Sequence, residues 1–362
     1  MVNVIILGGG FAGIRAALTL KDKIKPHDLH VMIIDKNNYH TFTAALYEVA
    51  TAEQSQKNVE IPYKYILKKP LEFVQGNVRK IDTQQRKISL SNNEEFVYDY
   101  LIFALGSESA DFGIPGIREY GISLKTLEDA LAIKKKLAGG VKKIVVGGGG
   151  FTGTELACEL GVHKGHLEIT LIHGCPILLK DLGDDVSALA KKRLEADGVR
   201  LILGQHISKV TEKQVEIETG EMFPYDLFVW TGGVRSNNLL GKFEIDETLA
   251  VKNLKNVFAA GDSAGPSIAP KAEEMGRLAA ENILKSIKAE PLLPFEYHPK
   301  GYVVPLGGHF ATFAKGKFHI SGIPAYLLQQ LIYLRYLLTI IPFFQAIKKF
   351  TKFEEILIEK TS

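Results

Sequence analysis

Three glycines near the start of the chain have the spacing of a phosphate-binding turn. Gly8, Gly10 and Gly13 form a G-x-G-x-x-G pattern that directly follows the apolar run at 4–7. In such a turn the first glycine permits the bend, the second lets the backbone approach a pyrophosphate, and the third lets a helix pack close to a strand. The N-terminus of that helix would face the phosphates. The pattern predicts the strand, turn and helix of a dinucleotide-binding unit.

An acid follows at the distance that a ribose site requires. Asp35 ends a second apolar stretch, residues 31–34, roughly twenty residues after the last glycine, and its carboxylate can accept hydrogen bonds from ribose hydroxyls. A glycine triplet alone also occurs in loops of other α/β sheets. The triplet, strand, helix and acid together favour a dinucleotide site over that alternative.

The glycine pattern recurs later in the chain. Gly148, Gly150 and Gly153 each lie 140 positions after their counterparts and follow a predicted strand at 142–146. Two such units in one chain predict two dinucleotides, with electrons passing where the two sites face each other. The alternative is a second unit of the same ancestry that has lost its ligand.

The second unit differs from the first at the position of the ribose acid. Its predicted second strand, residues 168–172, is followed by His173. A neutral imidazole cannot accept from both ribose hydroxyls as a carboxylate does. A site for NADPH would instead favour an arginine, and only Lys180 is near in sequence. The donor at this second site is therefore left open between NADH, NADPH and no ligand.

Positioning these motifs requires an α/β fold with two Rossmann-like domains built on parallel sheets. Residues 37–65 follow Asp35 directly, where a doubly wound fold exposes the carboxyl ends of its strands, although a surface loop and helix would share that composition. Residues 71–98 alternate as a small antiparallel meander, and 112–121 are rich in Gly and Pro like a linker. The predicted division is a discontinuous first domain at 1–110 and 240–300, a second at 111–239, and a C-terminal region at 301–362.

A Gly-Asp pair returns late in the chain. Gly261 and Asp262 end the predicted strand of the stretch NVFAAGDSA, where the glycine permits close approach and the aspartate can bind a sugar alcohol chain. A helix is predicted to start near Pro270, because proline is well tolerated in a first turn. Residues 272–287 have helical periodicity, with Met275, Leu278, Ala279, Asn282 and Ile283 on one face.

The C-terminal stretch 323–353 is apolar but interrupted. Gln329, Gln330, Arg335 and Pro342 break it, whereas a transmembrane helix needs about twenty consecutive apolar residues. An amphipathic helix lying on a membrane surface fits better. In that arrangement Tyr326, Tyr333 and Tyr336 would lie near the headgroups, and anionic lipid would face Arg335, Lys348, Lys349 and Lys352. The alternative is a helix packed on the core or in a homodimer interface.

Composition limits the remaining classes of function. The net charge of +3 and the scattered lysines give no indication of nucleic-acid binding. Cys158 and Cys175 do not make a disulfide framework, no region has metal-ligand spacing, and strand character begins right after Met1. We therefore expect no metal, no export, and a location on the cytoplasmic face of the cell membrane.

Several segments together resemble a known family. In chain order they are DKNNYHTFTAALYEVATAE, YLIFALGSESADFGIPG, GGGGFTGTELACEL, WTGGVRSN and NVFAAGDSA. They are similar to those of type II NADH:quinone oxidoreductases, single-chain flavoproteins with two dinucleotide-binding domains. The resemblance extends from Met1 to about Gly316 and continues more weakly in the tail.

The resemblance implies FAD in the first domain, NAD(P)H in the second and a membrane quinone as electron acceptor. Glu155 would lie near the nicotinamide and the flavin, although helix dipoles favour a first-turn glutamate regardless of function. Lys271 and its helix N-terminus would stabilise negative charge on the flavin ring. The implied cofactor contacts are Gly8, Gly10, Phe11, Ala12, Gly13, Asp35, Lys36, Ala104, Gly106, Gly261 and Asp262 for FAD, and Gly148, Gly150, Gly153 and His173 for NAD(P)H.

Two departures from the family pattern keep other functions open. His173 replaces the donor-site acid, and Pro270 and Glu274 occupy positions where the quinone segment of the family has glutamines. A sulfide:quinone oxidoreductase is one alternative, but it requires a cysteine pair flanking the flavin, and neither cysteine falls in the expected place. A membrane-docked flavoprotein with a vestigial second site, acting as a sensor or assembly partner, is the other.

Overall fold

Two parallel sheets, each carrying one glycine turn, organise the protein. The computed structural model describes residues 1–163 and 167–359, without the side chains of Pro26, His163 and 352–359. All neighbouring strands within each five-stranded sheet are parallel, which confirms the predicted α/β class with two Rossmann-like units. In spatial order the first sheet contains Val257–Ala259, Tyr100–Phe103, Val2–Leu7, Leu29–Asp35 and Glu72–Gln75, and the second contains Ile122–Ser123, Leu227–Trp230, Lys143–Gly147, Glu168–His173 and Arg200–Leu203.

Helices cover these sheets. In the first unit, helix Phe11–Lys21 packs against helix Ala269–Ile287 so closely that a Cβ atom at Gly276 would lie 2.0 Å from the Ala12 carbonyl oxygen. The predicted helix near Pro270 is confirmed, and its predicted apolar face is buried. The other helices before residue 300 are Ile24–His27, Leu46–Ala50, Gln56–Val59, Tyr63–Ile66, Ile117–Tyr120, Leu127–Ala138, Phe151–His163 and Asp184–Ala196.

Smaller antiparallel sheets decorate both units. The predicted meander is present in Val78–Asp82, Lys87–Leu90 and Glu95–Val97, but its expected first strand, Glu72–Gln75, instead extends the main sheet in parallel with Leu29–Asp35. Alternation of side chains predicts that this segment is a strand, but it does not predict which strand it pairs with. The pairing depends on backbone hydrogen bonds to the free edge of the main sheet. The remaining small sheets pair Tyr39–Thr41 with Glu60–Pro62, and Gln214–Ile217 with Ile207–Val210 and Met222–Pro224.

Two short strands connect the units. Ser107–Ser109 pairs antiparallel with Val234–Ser236, so the outgoing and returning chains cross side by side. Both strands lie next to the predicted domain boundaries, and the division into domains stays a prediction.

The C-terminal region contains a sheet that the sequence did not indicate. Strands Tyr302–Pro305, Ala311–Lys315 and Phe318–Gly322 form an antiparallel meander, followed by helices Ile323–Ile340 and Phe343–Glu359 that flank Pro342. Among the described residues, none of the helices combines the length and apolarity that crossing a membrane needs.

The predicted orientation of the tail side chains is wrong in part. Tyr326, Tyr333 and Tyr336 are buried. The rings of Tyr333 and Tyr336 pack against the first unit, whereas Tyr326 packs against the C-terminal sheet. The Tyr333 hydroxyl donates to the Asn58 carbonyl oxygen at 3.2 Å, as a buried phenol requires a partner.

The basic side chains of the tail divide in the same way. Lys349 Nζ donates to the carbonyl oxygens of Lys57 and Glu60, each at 2.7 Å, so it faces the protein. Arg335 and Lys348 are exposed as predicted, and the side chain of Lys352 lies outside the described residues.

Candidate functional site

The first glycine turn is open where a phosphate would approach. The Gly8 N–H donates to the Ile34 carbonyl oxygen at 2.8 Å, which holds the turn beside the second strand. A Cβ atom at Gly13 would lie 1.9 Å from the Gly8 carbonyl oxygen, so this close crossing requires glycine. At Gly10, in contrast, no described atom comes within 4 Å of the Cβ position. The helix that begins at Phe11 has no side-chain cap among the described residues, so its N–H groups are available to an anion.

Asp35 is held by the same turn. Its Oδ2 accepts the Gly9 N–H at 2.6 Å, and its Oδ1 accepts the Asn37 N–H at 2.8 Å. Burial raises the pKa of Asp35 from its ordinary value, while these two N–H donors act against that rise. The carboxyl group is therefore fixed at the end of the strand, while the neighbouring side chain of Lys36 is exposed.

A layer of side chains that the sequence analysis did not identify supports the turn from behind. The Gly9 carbonyl oxygen accepts two hydrogen bonds, from the Tyr63 hydroxyl at 2.9 Å and from His40 Nδ1 at 3.1 Å. His40 Nε2 in turn accepts from the Tyr336 hydroxyl at 2.8 Å. This assigns the neutral Nδ1–H tautomer to His40, in agreement with burial that lowers its pKa to about 4. For His40 and Tyr63 the only sequence signal is the polar and aromatic segment after Asp35, whereas the sequence predicts Tyr336 near lipid headgroups.

Phe11 and Ala12 lie at the start of the first helix. The Phe11 ring contacts His40 and Tyr336, each at a centroid distance of 5.0 Å, which links the turn to the tail helix. Ala12 is buried against Gly276 and beside Gly261, whose Cβ position is 3.1 Å from Ala12 Cβ.

The predicted residues from distant segments gather around this turn. Ala104 packs its carbonyl group against Gly8, where a Cβ atom would come within 2.2 Å. The Gly106 N–H donates to Ser263 Oγ at 2.8 Å, which ties the end of one strand to the turn that contains Asp262. The structure thus places Ala104 and Gly261 beside the first glycine turn and links Gly106 to the turn that contains Asp262, while their contact with FAD stays a prediction.

Asp262 is fully engaged within the protein. Its Oδ2 accepts from Lys125 Nζ at 2.8 Å and from the Ser107 hydroxyl at 2.5 Å, and its Oδ1 accepts from the backbone and hydroxyl of Ser267. Burial raises the pKa of Asp262, but the Lys125 ammonium and the two hydroxyls outweigh it and leave the pKa below its ordinary value. Because Lys125 belongs to the predicted second domain, this ion pair also couples the two units.

The N-terminus of helix Ala269–Ile287 is also without a side-chain cap among the described residues. Lys271 lies in its first turn, half-buried, and forms no hydrogen bond or ion pair with the described part of the chain. Positive charge from the ammonium group and from the helix dipole therefore adds up at this end.

The second glycine turn repeats the geometry of the first. The Gly148 N–H donates to the Ile172 carbonyl oxygen at 2.8 Å, and a Cβ atom at Gly153 would lie 1.9 Å from the Gly148 carbonyl oxygen. The Cβ position of Gly150 again has no described atom within 4 Å. This turn therefore offers a second place where a phosphate can approach.

His173 occupies the place that Asp35 has in the first unit. Its ring packs against Gly149, where a Cβ atom would come within 2.8 Å of the imidazole carbons. Burial and then the neighbouring His206 lower the pKa of His173, so the imidazole is neutral at pH 7. Among the described residues, the side chain at this strand end is thus a neutral imidazole in place of a carboxylate.

Glu155 lies one turn into helix Phe151–His163. Burial raises its pKa to about 8, and among the described residues it has no hydrogen-bond or ion-pair partner. In its ionised form Glu155 would raise the pKa of Tyr47, so the two side chains are near each other, and helix Leu46–Ala50 packs against the Glu155 helix. Glu155 thus faces the first unit from the second, with a carboxyl group that is protonated at neutral pH.

Two turns of matching geometry, each at the carboxyl ends of its own parallel sheet, define a class of oxidoreductases that hold two dinucleotides. The family model for pyridine nucleotide-disulphide oxidoreductases matches residues 2–276. The chain belongs to that family.

Named relatives narrow the comparison. The chain is 29% identical over 371 residues to the demethylphylloquinone reductase NdbB of Synechocystis, covering 92% of this chain and 91% of that protein. It is 27% identical over 354 residues to the type II NADH:quinone oxidoreductase of Staphylococcus saprophyticus, covering 85% and 88%. These relatives confirm the resemblance drawn from the sequence motifs. The structure of NDH2 from Plasmodium falciparum in complex with NADH superposes with a TM-score of 0.87 at 17% identity, covering 99% and 98%, and shows the shared fold.

Proposed function

We propose that this protein is an FAD-dependent NAD(P)H:quinone oxidoreductase. The observation that carries the proposal is the pair of open glycine turns in one chain, at Gly10 and Gly150, each facing an uncrowded space where the backbone can meet a phosphate. The relatives named for quinone reduction support the choice of acceptor.

The residues around the first turn fit FAD. Its pyrophosphate would meet the N–H groups of helix Phe11–Lys21, and the Asp35 carboxyl group would accept from the ribose of the adenosine part. FAD, when bound, supplies hydride acceptance from a dihydronicotinamide and the return of two electrons to a quinone.

Residues of the chain align the donor and stabilise charge. The N–H groups at the start of helix Ala269–Ile287 and the ammonium group of Lys271 offer positive charge to the ring system. Asp262 would orient the sugar alcohol chain, although its oxygens already hold Lys125, Ser107 and Ser267. Glu155, protonated at pH 7, would hold a proton near the place where the nicotinamide enters.

Anaerobic reduction tests the proposal. We expect NADH or NADPH to bleach the flavin absorbance of the purified protein rapidly in an anaerobic stopped-flow experiment, and a soluble quinone to restore it. Sulfide is the control donor, and we expect it to leave the flavin absorbance unchanged. Bleaching by sulfide alone would favour a sulfide:quinone oxidoreductase, and bleaching by no donor would favour the vestigial-site alternative.

The cysteines argue against the sulfide alternative. Cys158 is fully buried in helix Phe151–His163, and burial raises the pKa of its thiol, which makes it a poor nucleophile. Both cysteines are free thiols. A sulfur-transferring cysteine pair beside the first glycine turn is therefore not supported.

The proposal extends to docking on a lipid membrane through the tail. Helix Ile323–Ile340 exposes Leu327, Leu331 and Leu338, and the start of helix Phe343–Glu359 exposes Phe343 and Phe344, the latter 85% exposed. Arg335 and Lys348 are exposed in the same two helices. An apolar surface accompanied by basic side chains suits insertion into the headgroup region of anionic lipid. The cytoplasmic face of the membrane and a homodimer stay predictions.

Charges on the exposed face of the tail should release the protein from membranes. We expect a Leu327→Glu/Leu331→Glu variant to lose flotation with vesicles of phosphatidylcholine and phosphatidylglycerol by about tenfold or more, because burying two carboxylates in the interface costs more than the apolar contact supplies. Flavin content should be unchanged. The matched control is Val97→Glu/Met222→Glu, which charges two exposed apolar residues elsewhere. Equal flotation of both variants would contradict membrane docking through this face.

A further inference from the structure

The two glycine turns share a hydrogen bond that aligns their ribose positions. In the first unit the Gly8 N–H donates to the Ile34 carbonyl oxygen, and in the second the Gly148 N–H donates to that of Ile172, both at 2.8 Å. The residue after each carbonyl group is therefore structurally equivalent. That residue is Asp35 in the first unit and His173 in the second, so the histidine stands at the position that selects between ribose and its 2′-phosphate.

The two side chains present opposite chemistry to a nucleotide. A carboxylate accepts hydrogen bonds from ribose hydroxyls and repels a 2′-phosphate by like charge. The imidazole of His173 carries no negative charge, and its ring N–H can donate to a phosphate oxygen. Its ring packs against Gly149, so it borders the turn itself.

Neighbouring groups add further N–H donors to the same strand end. His206 lies under Gly174, where a Cβ atom would come within 2.4 Å of its ring. The loop after His173 folds back onto the turn, because the Leu179 N–H donates to the Gly149 carbonyl oxygen at 3.1 Å. That bond brings the exposed Lys180 next to the turn, with Asp181 as the acid that follows it. Neither His206 nor Lys180 forms an ion pair with the described part of the chain.

From this arrangement we infer that the second site accepts the 2′-phosphorylated dinucleotide NADPH at least as well as NADH, with His173 as the residue that sets this selectivity. The inference rests on the proposed function and deepens it by naming the donor. The absent carboxylate removes the usual repulsion of the 2′-phosphate, and His173, His206 and Lys180 supply donors to it.

Binding of nucleotide fragments tests the selectivity without hydride transfer. We would measure the affinity of the flavin-loaded protein for ADP-ribose and for 2′-phospho-ADP-ribose by calorimetry. The wild type should bind the phosphorylated fragment equally or more tightly. In His173→Asp the preference should shift toward ADP-ribose by about tenfold to a hundredfold, the range for gaining or losing a hydrogen bond to a charged group.

Controls separate selectivity from folding and from turnover. His319→Asp makes the same charge change at an exposed histidine of the C-terminal sheet and should leave the preference unchanged. If His173→Asp does not fold, Lys180→Glu at the exposed loop should shift the preference in the same direction. A wild type that binds ADP-ribose measurably more tightly than 2′-phospho-ADP-ribose, or that binds neither fragment, would overturn the inference. Tight fragment binding without flavin reduction by either donor would instead contradict the proposed function alone.

Discussion

The Gly10→Val variant is expected to fold and to lose its flavin. Gly10 has φ −75° and ψ −169°, an extended conformation that any residue adopts, and no described atom would clash with a side chain there. The new methyl groups would occupy the space through which a pyrophosphate reaches the helix N-terminus. We expect the flavin content of the purified variant to be lower than that of the wild type by about tenfold or more, because the phosphates supply much of the binding energy. The flavin is measured by its absorbance after release from the protein.

The corresponding change in the second unit should separate the two sites. Gly150→Val makes the same substitution at an equally open position. In both variants we expect the loss of glycine at the helix start to lower the free energy of unfolding by about 1 kcal/mol or less. We expect Gly150→Val to keep the flavin and to raise the KM for the nicotinamide donor by about tenfold or more.

A third variant shows that open space, and not glycine as such, decides the outcome. Gly13→Val would place Cβ 1.9 Å from the Gly8 carbonyl oxygen, so we expect this protein to misfold or to be recovered as aggregate.

Normal flavin content in Gly10→Val would refute the assignment of the first turn. Loss of flavin in Gly150→Val would show that the two turns do not hold separate ligands.

Acid should destabilise the protein through His40. Burial holds the pKa of this imidazole at about 4, whereas the unfolded chain has the ordinary value of 6.5. Between these values the unfolded state binds more protons, so its free energy falls relative to the folded state as the pH decreases. From these two pKa values, the contribution lost between pH 7.5 and pH 4.5 is about 2 to 3 kcal/mol.

The difference between wild type and a His40→Gln variant isolates this contribution. We expect the wild type to lose about 2 to 3 kcal/mol more stability than the variant over that pH range, in urea unfolding at matched flavin saturation. His319→Gln, at an exposed histidine, should follow the wild type. Parallel acid profiles of wild type and His40→Gln would contradict the buried neutral imidazole.

The sequence predicts the parts of this molecule that depend on local spacing. The turns at Gly8 and Gly148 and the helix after Pro270 could be predicted because glycine geometry and apolar periodicity act within a few residues. The absence of an acid at His173 could be recognised for the same reason, since its distance from the second turn is characteristic.

Contacts between distant segments could not be predicted from one sequence. Lys125 pairs with Asp262 across 137 positions, and Tyr336 reaches His40 across 296. The periodicity of apolar residues does not predict such long-range contacts. The tail tyrosines show the consequence. A helix on a membrane and a helix on a protein core have the same amphipathic composition, so composition does not predict which side chains are buried. Tyr333 and Tyr336 are buried because they bond Asn58 and His40, and the spacing of residues does not reveal these partners.

The bond between His40 and Tyr336 also sets an order of events during synthesis. Helix Ile323–Ile340 is synthesised after the glycine turn that it supports through His40. Until that helix has been made and has folded back, the turn in the nascent chain lacks the Tyr336 hydroxyl that orients His40. The backing of the first turn is therefore complete only when the segment that is proposed to meet the lipid surface has packed onto the first unit.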